Sequence, residues 1–322
     1  MALYLVTGGS GFIGSNLVYH LVALGERVRV VDNLSTGREA NLRPLLADPE
    51  RRHQVEFLRG DITDPDLVHR AMADVDFVLH QAALPSVPRS IEHPLESDRV
   101  NAYGTLLLLE AARRQGRVRR FVLAASSSAY GERAPEEPKV ETMPPAPLSP
   151  YAVTKVTAEY YLAVYHRIYG LPTVALRYFN IFGPRQDPTS QYAAAIPNFI
   201  SAFLRGEPAT IYGDGLQSRD FCFVDNAVEA NLLACTTPAD QVAGQVLNIA
   251  CGEAITLLGV IDTLAEIFGR RIPPRHAPPR PGDIRHSLAD ISKARQLLGY
   301  TPKIKFAEGL RRTVAWYREQ AG

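Results

Sequence analysis

The sequence predicts an α/β fold: a doubly wound parallel sheet followed by a smaller mixed α/β C-terminal lobe. Short apolar runs alternate with segments of helical period along the first 180 residues. A glycine-rich turn joins the first run to the first helix. The chain of 322 residues is also long enough for two lobes. We therefore place the first domain at 1–180 and the second at 181–322, with 220–250 returning to the first.

The first strand and helix flank a candidate nucleotide-binding turn. Residues 2–6 form an apolar run, which predicts a buried parallel strand. The sequence Thr7-Gly8-Gly9-Ser10-Gly11-Phe12-Ile13-Gly14 follows, and apolar residues then recur at helical spacing up to Gly25. A second strand, 27–31, ends at Asp32. This order is typical of a Rossmann-type dinucleotide site, although the glycine spacing is G-x-x-G-x-x-G.

Asp32 indicates which dinucleotide is bound. It lies 18 residues after Gly14, close to the position at which an acid binds the adenosine ribose. The alternative is a solvated acid at the end of a strand, but its placement after the second strand argues against that. A carboxylate at this point repels a 2′-phosphate, so the sequence favours NAD over NADP.

Two later strands bring more residues to the same edge, because ligands in open α/β sheets lie at the carboxyl ends of the strands. These strands are predicted at 55–58 and 77–80. The residues after them that are expected to border the cofactor are Asp61, Ile62, Gln81, Ala82 and Ala83. His80 lies within an apolar strand end and is interpreted as a satisfied core histidine. The apolar pattern of residues 97–116 predicts one long helix. This helix is expected either to be deeply buried or to face a partner chain along part of its surface.

The composition argues against several classes of function. Basic and acidic residues number 35 and 34, and the net charge of +1 does not suggest nucleic acid as a partner. No apolar run approaches the roughly 20 residues needed to span a membrane, and the N-terminus leaves no room for a signal peptide. Cys222, Cys235 and Cys251 lack metal-ligand spacing, so we expect no metal site and a reduced, cytoplasmic setting.

The helix that begins at Pro150 carries the candidate catalytic pair. Ser149 before Pro150 predicts a helix start, with a hydroxyl N-cap and a proline at the first helical position. Tyr151 and Lys155 are four residues apart and therefore share one helix face. A nearby cation favours phenolate over phenol, so we expect the pKa of Tyr151 to fall from about 10 towards neutrality. A tyrosine of that kind acts as a general base.

Serine hydroxyls supply a third catalytic group. The strand predicted at 121–125 ends in Ser126, Ser127 and Ser128, at the sheet edge that carries the glycine loop. A serine bonded to a substrate hydroxyl would orient that hydroxyl and share its proton with Tyr151. A single serine at this position would be interpreted as part of a polar turn. Three of them, beginning 25 residues before Tyr151, favour a catalytic role.

Together these motifs resemble the extended short-chain dehydrogenase/reductase family over essentially the whole chain. The motifs that carry the resemblance are Thr7 to Gly14, Asp32, Ser126 to Ser128, Tyr151-x-x-x-Lys155, Leu176 to Asn180, Gly213 to Gly215, Arg219 to Phe221 and Arg280 to Asp283. The last four are motifs of members that act on nucleotide sugars. Within the family, the chain is most similar to the UDP-hexose 4-epimerases, especially the UDP-N-acetylglucosamine 4-epimerase branch.

The strand ends and the resemblance together define the expected site. The cofactor-binding residues are expected to be Gly8, Gly11, Phe12, Ile13, Gly14, Asp32, Asn33, Asp61, Ile62, Gln81, Ala82, Ala83, Asn101, Tyr151, Lys155 and Tyr178. The catalytic residues are expected to be Ser126, Ser127, Tyr151 and Lys155. The UDP-sugar is expected to contact Ser126, Ser128, Asn180, Tyr212, Arg219, Arg280, Asp283 and Ser287. Arg219 and Arg280 are the expected diphosphate ligands, because guanidinium forks match phosphate oxygens.

The resemblance also implies a homodimer. The helices at 97–116 and 151–169 are expected to pack against their twins as a four-helix bundle. On the second helix, we expect this contact to be made by Ala158, Tyr161, Leu162 and Tyr165.

Three reactions are open to a site of this kind, since the ketone it forms can be released, undergo elimination or decarboxylation, or take the hydride back on its other face. Dehydrating members carry an Asp-Glu pair after the first serine and decarboxylating members a Glu, whereas this chain has Ser127 and Ser128. Elimination then lacks its acid and base, so 4-epimerisation through a transient 4-keto sugar is favoured.

The resemblance implies that Ser287, four residues after Asp283, occupies the position that limits the size of the sugar. A serine there leaves space for an N-acetyl group that a tyrosine would exclude. The predicted reaction therefore interconverts UDP-GlcNAc and UDP-GalNAc, together with UDP-Glc and UDP-Gal. Two alternatives remain. One is a UDP-glucuronate or other nucleotide-sugar epimerase of the same family, and the other is a non-catalytic NAD-binding regulator.

Overall fold

The fold is built around a sheet of seven parallel strands. The computed structural model describes residues 1–134, 137–188, 194–279 and 284–321. In these ranges the strands are β1 (Leu3–Thr7), β2 (Arg27–Asp32), β3 (Val55–Arg59), β4 (Phe77–His80), β5 (Arg120–Ser126), β6 (Thr173–Tyr178), β7 (Ile181–Phe182), β8 (Thr210–Tyr212), β9 (Ser218–Asp220), β10 (Cys222–Phe223), β11 (Gln245–Ile249), β12 (Ala254–Thr256), β13 (Arg275–Ala277) and β14 (His286–Ser287). The α-helices are α1 (Phe12–Ala23), α2 (Arg43–Ala47), α3 (Pro65–Met72), α4 (Val87–Glu92), α5 (Pro94–Asp98), α6 (Gly104–Gln115), α7 (Pro150–Tyr169), α8 (Ala195–Arg205), α9 (Val224–Thr236), α10 (Ala239–Val242), α11 (Leu257–Phe268), α12 (Ser292–Leu298) and α13 (Phe306–Ala321).

The strand order of the large sheet is β11-β6-β5-β4-β1-β2-β3. Every residue of β1 is buried, as expected for a parallel strand covered on both faces. One apolar cluster includes residues of α1 and α9, and a second includes residues of α3, α6 and α7. The order of strands reverses between β1 and β4. This reversal is the switch point at which an open α/β sheet leaves a crevice for a ligand.

The predicted fold class is confirmed, and the five strands predicted above each end within one residue of the observed bounds. The return of residues 220–250 has a structural counterpart, because β11 pairs with β6 in the large sheet. The division of the chain at residue 180 stays a prediction.

The apolar segment at 97–116 differs from the single helix that its sequence predicts. A π-helical turn at Arg99–Tyr103 separates α5 from α6. Asn101 lies in this turn, and its carbonyl accepts a hydrogen bond from the Thr105 hydroxyl at 2.6 Å. A Cβ at Gly104, where α6 begins, would lie 2.7 Å from the Ile62 side chain. Local apolar periodicity does not encode such a turn, which often marks a functional position.

Three of the four residues predicted to make the dimer contact on α7 are wrong. Ala158, Leu162 and Tyr165 are buried in the chain's own core and leave no surface for a second copy of the chain. Tyr161 is partly buried against the same cluster, and for this residue the contact stays a prediction. The apolar residues that α7 exposes are Val153, Tyr160, Val164, Ile168 and Tyr169.

The C-terminal part of the chain adds a third apolar cluster, formed largely by α8, α11 and α13 with short strands. A small sheet of order β12-β9-β14 sets Ser287 beside Arg219 in parallel register. All three cysteines are buried free thiols, and the cytoplasmic setting stays a prediction. Among the described residues, no helix combines the length and apolar character required to cross a membrane.

Candidate active site

The glycine loop between β1 and α1 approaches neighbouring backbone too closely to carry side chains. A Cβ at Gly14 would lie 2.1 Å from the Gly8 carbonyl oxygen. One at Gly8 would lie 2.7 Å from the amide nitrogen of Ala82, and Gly8 also has a φ of +67°, in the left-handed region. The Gly11 amide donates to the Gly8 carbonyl at 3.0 Å. This packing leaves the N-terminus of α1 at the edge of the cleft, where backbone N–H groups can bind phosphate.

Asp32 lies beside this loop at the end of β2. The backbone amides of Ser10 and Leu34 each donate to its carboxylate at 2.8 Å. Burial raises the pKa of Asp32, and these N–H groups offset part of that rise. A Cβ at Gly37 would lie 2.9 Å from either carboxylate oxygen, so this glycine keeps the space beside the acid open. The carboxylate is therefore held where a ribose-binding acid is expected.

A cleft of about 930 Å³ follows the carboxyl ends of the strands. The predicted residues that line it are Gly8, Gly11, Phe12, Ile13, Gly14, Asp32, Asn33, Asp61, Ile62, Gln81, Ala82, Ala83, Ser126, Ser127, Ser128, Tyr151, Lys155, Tyr178, Asn180, Arg219 and Ser287. Asn33 donates to Asp61 at 2.8 Å, which links the ends of β2 and β3. One continuous surface therefore joins the cofactor-binding and the catalytic sets.

Ser126 ends β5 and lines this cleft. Its hydroxyl oxygen accepts a hydrogen bond from the Ser128 hydroxyl at 2.8 Å and one from the Ser128 amide at 3.2 Å. Ser127 begins a short 3₁₀ turn, which keeps all three serines at the carboxyl end of β5. In the register of the sheet Ser126 pairs with Tyr178 on β6, so the two side chains share the strand-end layer.

The helix α7 begins as predicted. The Ser149 hydroxyl accepts from the Ala152 amide at 3.2 Å, and Pro150 occupies the first helical position. The backbone amide of Tyr151 donates to the Ser90 hydroxyl at 3.0 Å. Lys155 Nζ lies 5.9 Å from the centroid of the Tyr151 ring, so the two share a face. The local sequence thus positions the start of the helix and its first reactive group.

The expected fall in the pKa of Tyr151 is wrong for the chain by itself. Burial raises the pKa of Tyr151, and its hydrogen bond with Ser126 opposes part of that rise. Lys155 does not reverse this direction, because its ammonium donates to the Ala124 carbonyl at 2.8 Å. Burial also lowers the pKa of Lys155 to about 8, so that the lysine is partly neutral near that pH. Desolvation therefore has a larger effect on the pKa of Tyr151 than the nearby Lys155 cation, which is the only effect that helical spacing predicts.

Two predicted contacts, Asn101 and Tyr212, are not among the described residues that line the cleft. The Asn101 side chain is buried behind it, where it accepts from the Leu84 amide at 2.8 Å. Tyr212 lies at the end of β8, which pairs with β13 away from the cleft lining. Arg280 and Asp283 lie outside the described residues. Asn101 is thus corrected from a cofactor contact to a residue that supports the cleft wall.

Comparison with known proteins identifies the family. A model of the NAD dependent epimerase/dehydratase family matches residues 4–250. The chain belongs to this family. A UDP-glucose 4-epimerase of Mycolicibacterium smegmatis is 39% identical over 318 residues, which cover 98% of this chain and 99% of the relative.

Solved structures of the family share the fold over the whole chain. A UDP-N-acetylglucosamine 4-epimerase from Methanobrevibacter ruminantium has a TM-score of 0.91 at 40% identity, covering 99% of this chain and 98% of that one. A UDP-glucose 4-epimerase from Thermus thermophilus, in complex with NAD, has a TM-score of 0.87 at 40% identity, covering 98% and 99%. The predictions of this family, of an enzyme and of NAD as its cofactor are confirmed.

The residues of the chain fit the family cofactor. The tight turn of the glycine loop, in which a Cβ at Gly8 or Gly14 would collide with neighbouring backbone, lets the loop line the cleft with its backbone. Asp32 is placed for the ribose, and Asp61 lies beside it on the next strand end. Burial by itself would raise the pKa of Asp61, but hydrogen bonds from Thr63 and Asn33 bring it below its usual value. An ionised Asp61 is therefore available at the adenosine end of the cleft.

Sequence reasoning missed an ion pair that lines this cleft. Arg38 follows β2, Asp187 follows β7, and their side chains meet at 2.5 Å. Both line the cleft, so the pair joins two chain segments that border the cofactor site. Neighbouring Arg185 has its guanidinium 4.5 Å from the centroid of the Tyr19 ring. No local signal predicts this pairing, because the partners are 149 residues apart and each stands in a loop.

We expect Asp187→Asn to speed the release of NAD by about 2- to 5-fold, the range for a partly exposed ion pair. The measurement is loss of bound NAD to a trapping enzyme after dilution. Exchange of the two residues (Arg38→Asp with Asp187→Arg) should restore slow release, and high salt should shrink the difference. Glu207→Gln breaks a more exposed pair with Arg205 and serves as the control. Equal release rates in Asp187→Asn and this control would contradict the prediction.

Proposed function

We propose that the chain is a NAD-dependent 4-epimerase of UDP-sugars. It interconverts UDP-GlcNAc and UDP-GalNAc, and UDP-Glc and UDP-Gal, through a transient 4-keto intermediate. The observation that carries this choice is the chemistry around Ser126. The acidic residues that line the described cleft are Asp32, which ends β2, and Asp61 and Asp187, which follow β3 and β7, whereas the residues after Ser126 are serines. Dehydration needs a further acid and base next to the sugar, whereas epimerisation needs no such pair beyond the general base Tyr151.

The residues at the end of β5 and the start of α7 act on the C4 hydroxyl of the sugar. Ser126 holds that hydroxyl, and Tyr151 takes its proton. NAD, when bound, would supply the acceptor for the C4 hydride and a positive charge that favours the phenolate. Tyr151 would then give the proton back to the oxygen as the opposite C4 epimer forms. Lys155, buried and held by the Ala124 carbonyl, keeps a positive charge beside Tyr151 below its pKa of about 8.

The opposite wall of the cleft holds the rest of the substrate. Arg219 lines the cleft on β9, where a guanidinium can bind two phosphate oxygens. Asn180 lies just after β6 and also lines the cleft. The diphosphate would thus be held firmly at the small sheet. The sugar, which must turn over between hydride transfers, would rest among hydroxyls near Ser126.

Ser287 is the candidate that limits the size of the sugar. It lines the cleft, is 5% exposed, and pairs in register with Arg219. We expect Ser287→Tyr to abolish turnover of UDP-GlcNAc while sparing UDP-Glc, because a phenol in this position would fill the space of the N-acetyl group. The measurement is kcat/KM for each sugar, with Ser287→Ala as a control that should keep both activities. Equal retention of both activities in Ser287→Tyr would refute this role.

The decisive experiment incubates the purified protein with single UDP-sugars, without added cofactor, and identifies products by NMR. The panel holds UDP-GlcNAc, UDP-Glc and UDP-glucuronate. Conversion of the first two into their C4 epimers supports the proposal. Conversion of UDP-glucuronate alone favours the alternative epimerase. A 4-keto-6-deoxy product indicates a dehydratase, and no product from any sugar favours a non-catalytic NAD-binding protein.

We also propose that the chain forms a homodimer through the outer face of α7. Val153, Tyr160, Val164 and Ile168 recur every seven or four residues, and each is between 45 and 66% exposed. This spacing forms one stripe along the helix. Tyr103, 42% exposed in the π-helical turn, and Leu95, 85% exposed on α5, add apolar surface from the preceding helices. An exposed apolar surface of this kind is typical of a partner contact.

We expect the unmodified chain to sediment as a dimer at micromolar concentration and Val164→Glu with Ile168→Glu to sediment as a monomer. Two charges buried without partners would oppose association. Leu24→Glu, which changes a residue that is 65% exposed just after α1, is the control and should stay dimeric. Sedimentation velocity distinguishes these states. A monomeric unmodified chain would overturn the proposal.

A further inference from the structure

A continuous chain of hydrogen bonds runs behind the cleft. The Ala82 amide donates to the Thr7 hydroxyl oxygen at 3.3 Å, and that oxygen lies 2.7 Å from His80 Nδ1. His80 Nε2 lies 2.8 Å from the Thr105 hydroxyl, which donates to the Asn101 carbonyl at 2.6 Å. His80 and Thr105 are each about 1% exposed and do not line the cleft. The chain therefore connects the cofactor wall with the π-helical turn.

Two observations set the direction of every bond in this chain. Thr105 has a single hydroxyl proton, which it donates to the Asn101 carbonyl, so His80 Nε2 must be the donor to Thr105. Burial lowers the pKa of His80 to about 3, so the ring is neutral and carries no second proton. His80 Nδ1 is therefore an acceptor, and the Thr7 hydroxyl donates to it.

The chain continues from the π-helical turn into the catalytic helix. The Asn101 amide group donates to the Thr154 hydroxyl oxygen at 3.1 Å, and Thr154 donates to the Tyr151 carbonyl at 2.8 Å. The same Asn101 side chain accepts from the Leu84 amide, at the cleft wall. The first turn of α7 is therefore bonded to the backbone that borders the cofactor site through the side chains of Thr154, Asn101, Thr105, His80 and Thr7.

We propose that His80 is a positioning residue that couples the cofactor wall at Ala82 to Tyr151 at the start of α7. This inference rests on the proposed function for its catalytic consequence. The ring donates on one side and accepts on the other, so a bound cofactor that orders Ala82 also orders the turn that carries Asn101. The competing role is packing, because the His80 ring also lies 5.9 Å from the Phe121 ring in an edge-to-face contact. The two roles can be distinguished by replacing Thr7 or Thr105 with valine, which removes a hydroxyl and keeps the shape of the side chain. Such a change should lower activity if His80 couples the two sites, and should have little effect if the ring only packs.

The test is a double-mutant cycle across His80, with Thr7→Val and Thr105→Val. Each change keeps the shape of the side chain and breaks one bond to the ring. We expect each single variant to lower kcat by about 10- to 100-fold, as for a misplaced catalytic group, with KM for the UDP-sugar nearly unchanged. The double variant should be no more than about twofold worse than the poorer single one, because either break already interrupts the chain. Thr105→Ser should restore kcat.

A second readout needs no sugar. Titrated with NAD alone, Thr105→Val should bind about 5-fold more weakly although it lies outside the cleft, and the cycle should again be non-additive. Thr313→Val is the matched control, since Thr313 is equally buried and makes the same type of bond to the Gly309 carbonyl at 2.7 Å. Nitrogen NMR of the NAD-loaded protein should show His80 protonated on Nε2 only.

Three results would each overturn the inference: single variants that match the Thr313→Val control, effects that multiply in the double variant, or a His80 ring protonated on Nδ1. Failure of the proposed function is distinguishable from these. It would appear as an unmodified protein without activity on any UDP-sugar, and the NAD cycle and the NMR spectrum would still decide the coupling.

Discussion

Tyr151→Phe should reduce the epimerisation rate by about 10²- to 10⁴-fold, the usual contribution of a positioned general base. NAD should remain bound, because the phenylalanine ring keeps the shape of this part of the cleft and removes only the hydroxyl. The measurement is product formation by NMR at saturating UDP-sugar, together with the NAD content of the purified protein. The reduced form of the bound cofactor should also fail to accumulate when sugar is added.

This expectation follows from the position of the phenol. Tyr151 lies in the first turn of α7, its backbone amide is fixed by Ser90, and its hydroxyl is hydrogen-bonded with Ser126. Burial raises the pKa of Tyr151 in spite of the nearby Lys155, so the phenol is a poor base at neutral pH until a further positive charge lies beside it. We therefore expect NAD binding to lower the pKa of Tyr151, which a rise in phenolate absorbance on NAD titration would reveal.

Tyr160→Phe is the matched control, since Tyr160 lies on the same helix with its side chain 58% exposed. It should keep full activity. Tyr151→Phe with more than about a tenth of the original rate would remove Tyr151 from the role of general base. Loss of NAD from the variant would instead show a structural contribution to cofactor binding, and the rate would then be measured at saturating NAD.

Local sequence rules predicted the parts of the site that depend on one element. The glycine loop, the acid at the end of β2 and the N-cap of α7 each follow from neighbours in the chain, and the structure contains all three. One error, the direction of the pKa shift of Tyr151, arose where burial decides. Helical spacing correctly brought Lys155 close to Tyr151, but the effect of desolvation on both groups depends on elements that spacing does not describe.

Tertiary pairing sets the remaining features. The buried face of α7 could not be told from its exposed face, since both are apolar: Leu162 packs in the core while Val164 faces outward. The π-helical turn depends on Asn101 and Thr105, which bond to residues of other elements. Arg38 and Asp187 meet only because two loops fold over one cleft. The periodicity of apolar residues describes a single helix or strand, so it could not predict contacts between elements.

Glu159→Gln should lower the free energy of unfolding by about 3–5 kcal/mol, the cost of breaking a buried ion pair. Glu159 binds Arg177 through two hydrogen bonds of 2.9 and 2.7 Å, and both side chains are 4% exposed. Burial alone would lower the pKa of Arg177, but the carboxylate of Glu159 reverses this and raises it. The variant therefore leaves a guanidinium that stays charged in the core, 4.5 Å from the Tyr130 ring centroid. Urea unfolding measures the loss.

The size of this loss should depend on the charge that is left behind. Glu159→Leu combined with Arg177→Met removes both ions and should be more stable than Glu159→Gln alone, because no uncompensated charge remains in the core. Glu110→Gln breaks the more exposed pair with Arg113 and should cost no more than about 1 kcal/mol. A double variant less stable than Glu159→Gln would show that specific hydrogen bonds, and not the stranded charge, dominate this part of the core.

Glu159 should also move the alkaline limit of activity, because it lies one helical turn after Lys155. Burial lowers the pKa of Lys155 to about 8, and the Glu159 carboxylate opposes that fall. Without the carboxylate the ammonium loses its proton at lower pH, so the decline of kcat above neutrality should begin earlier in Glu159→Gln. The pH profile is measured at low temperature, where the variant stays folded. An unchanged alkaline limb, with the expected loss of stability, would confine Glu159 to the fold and assign that limb to a group other than Lys155.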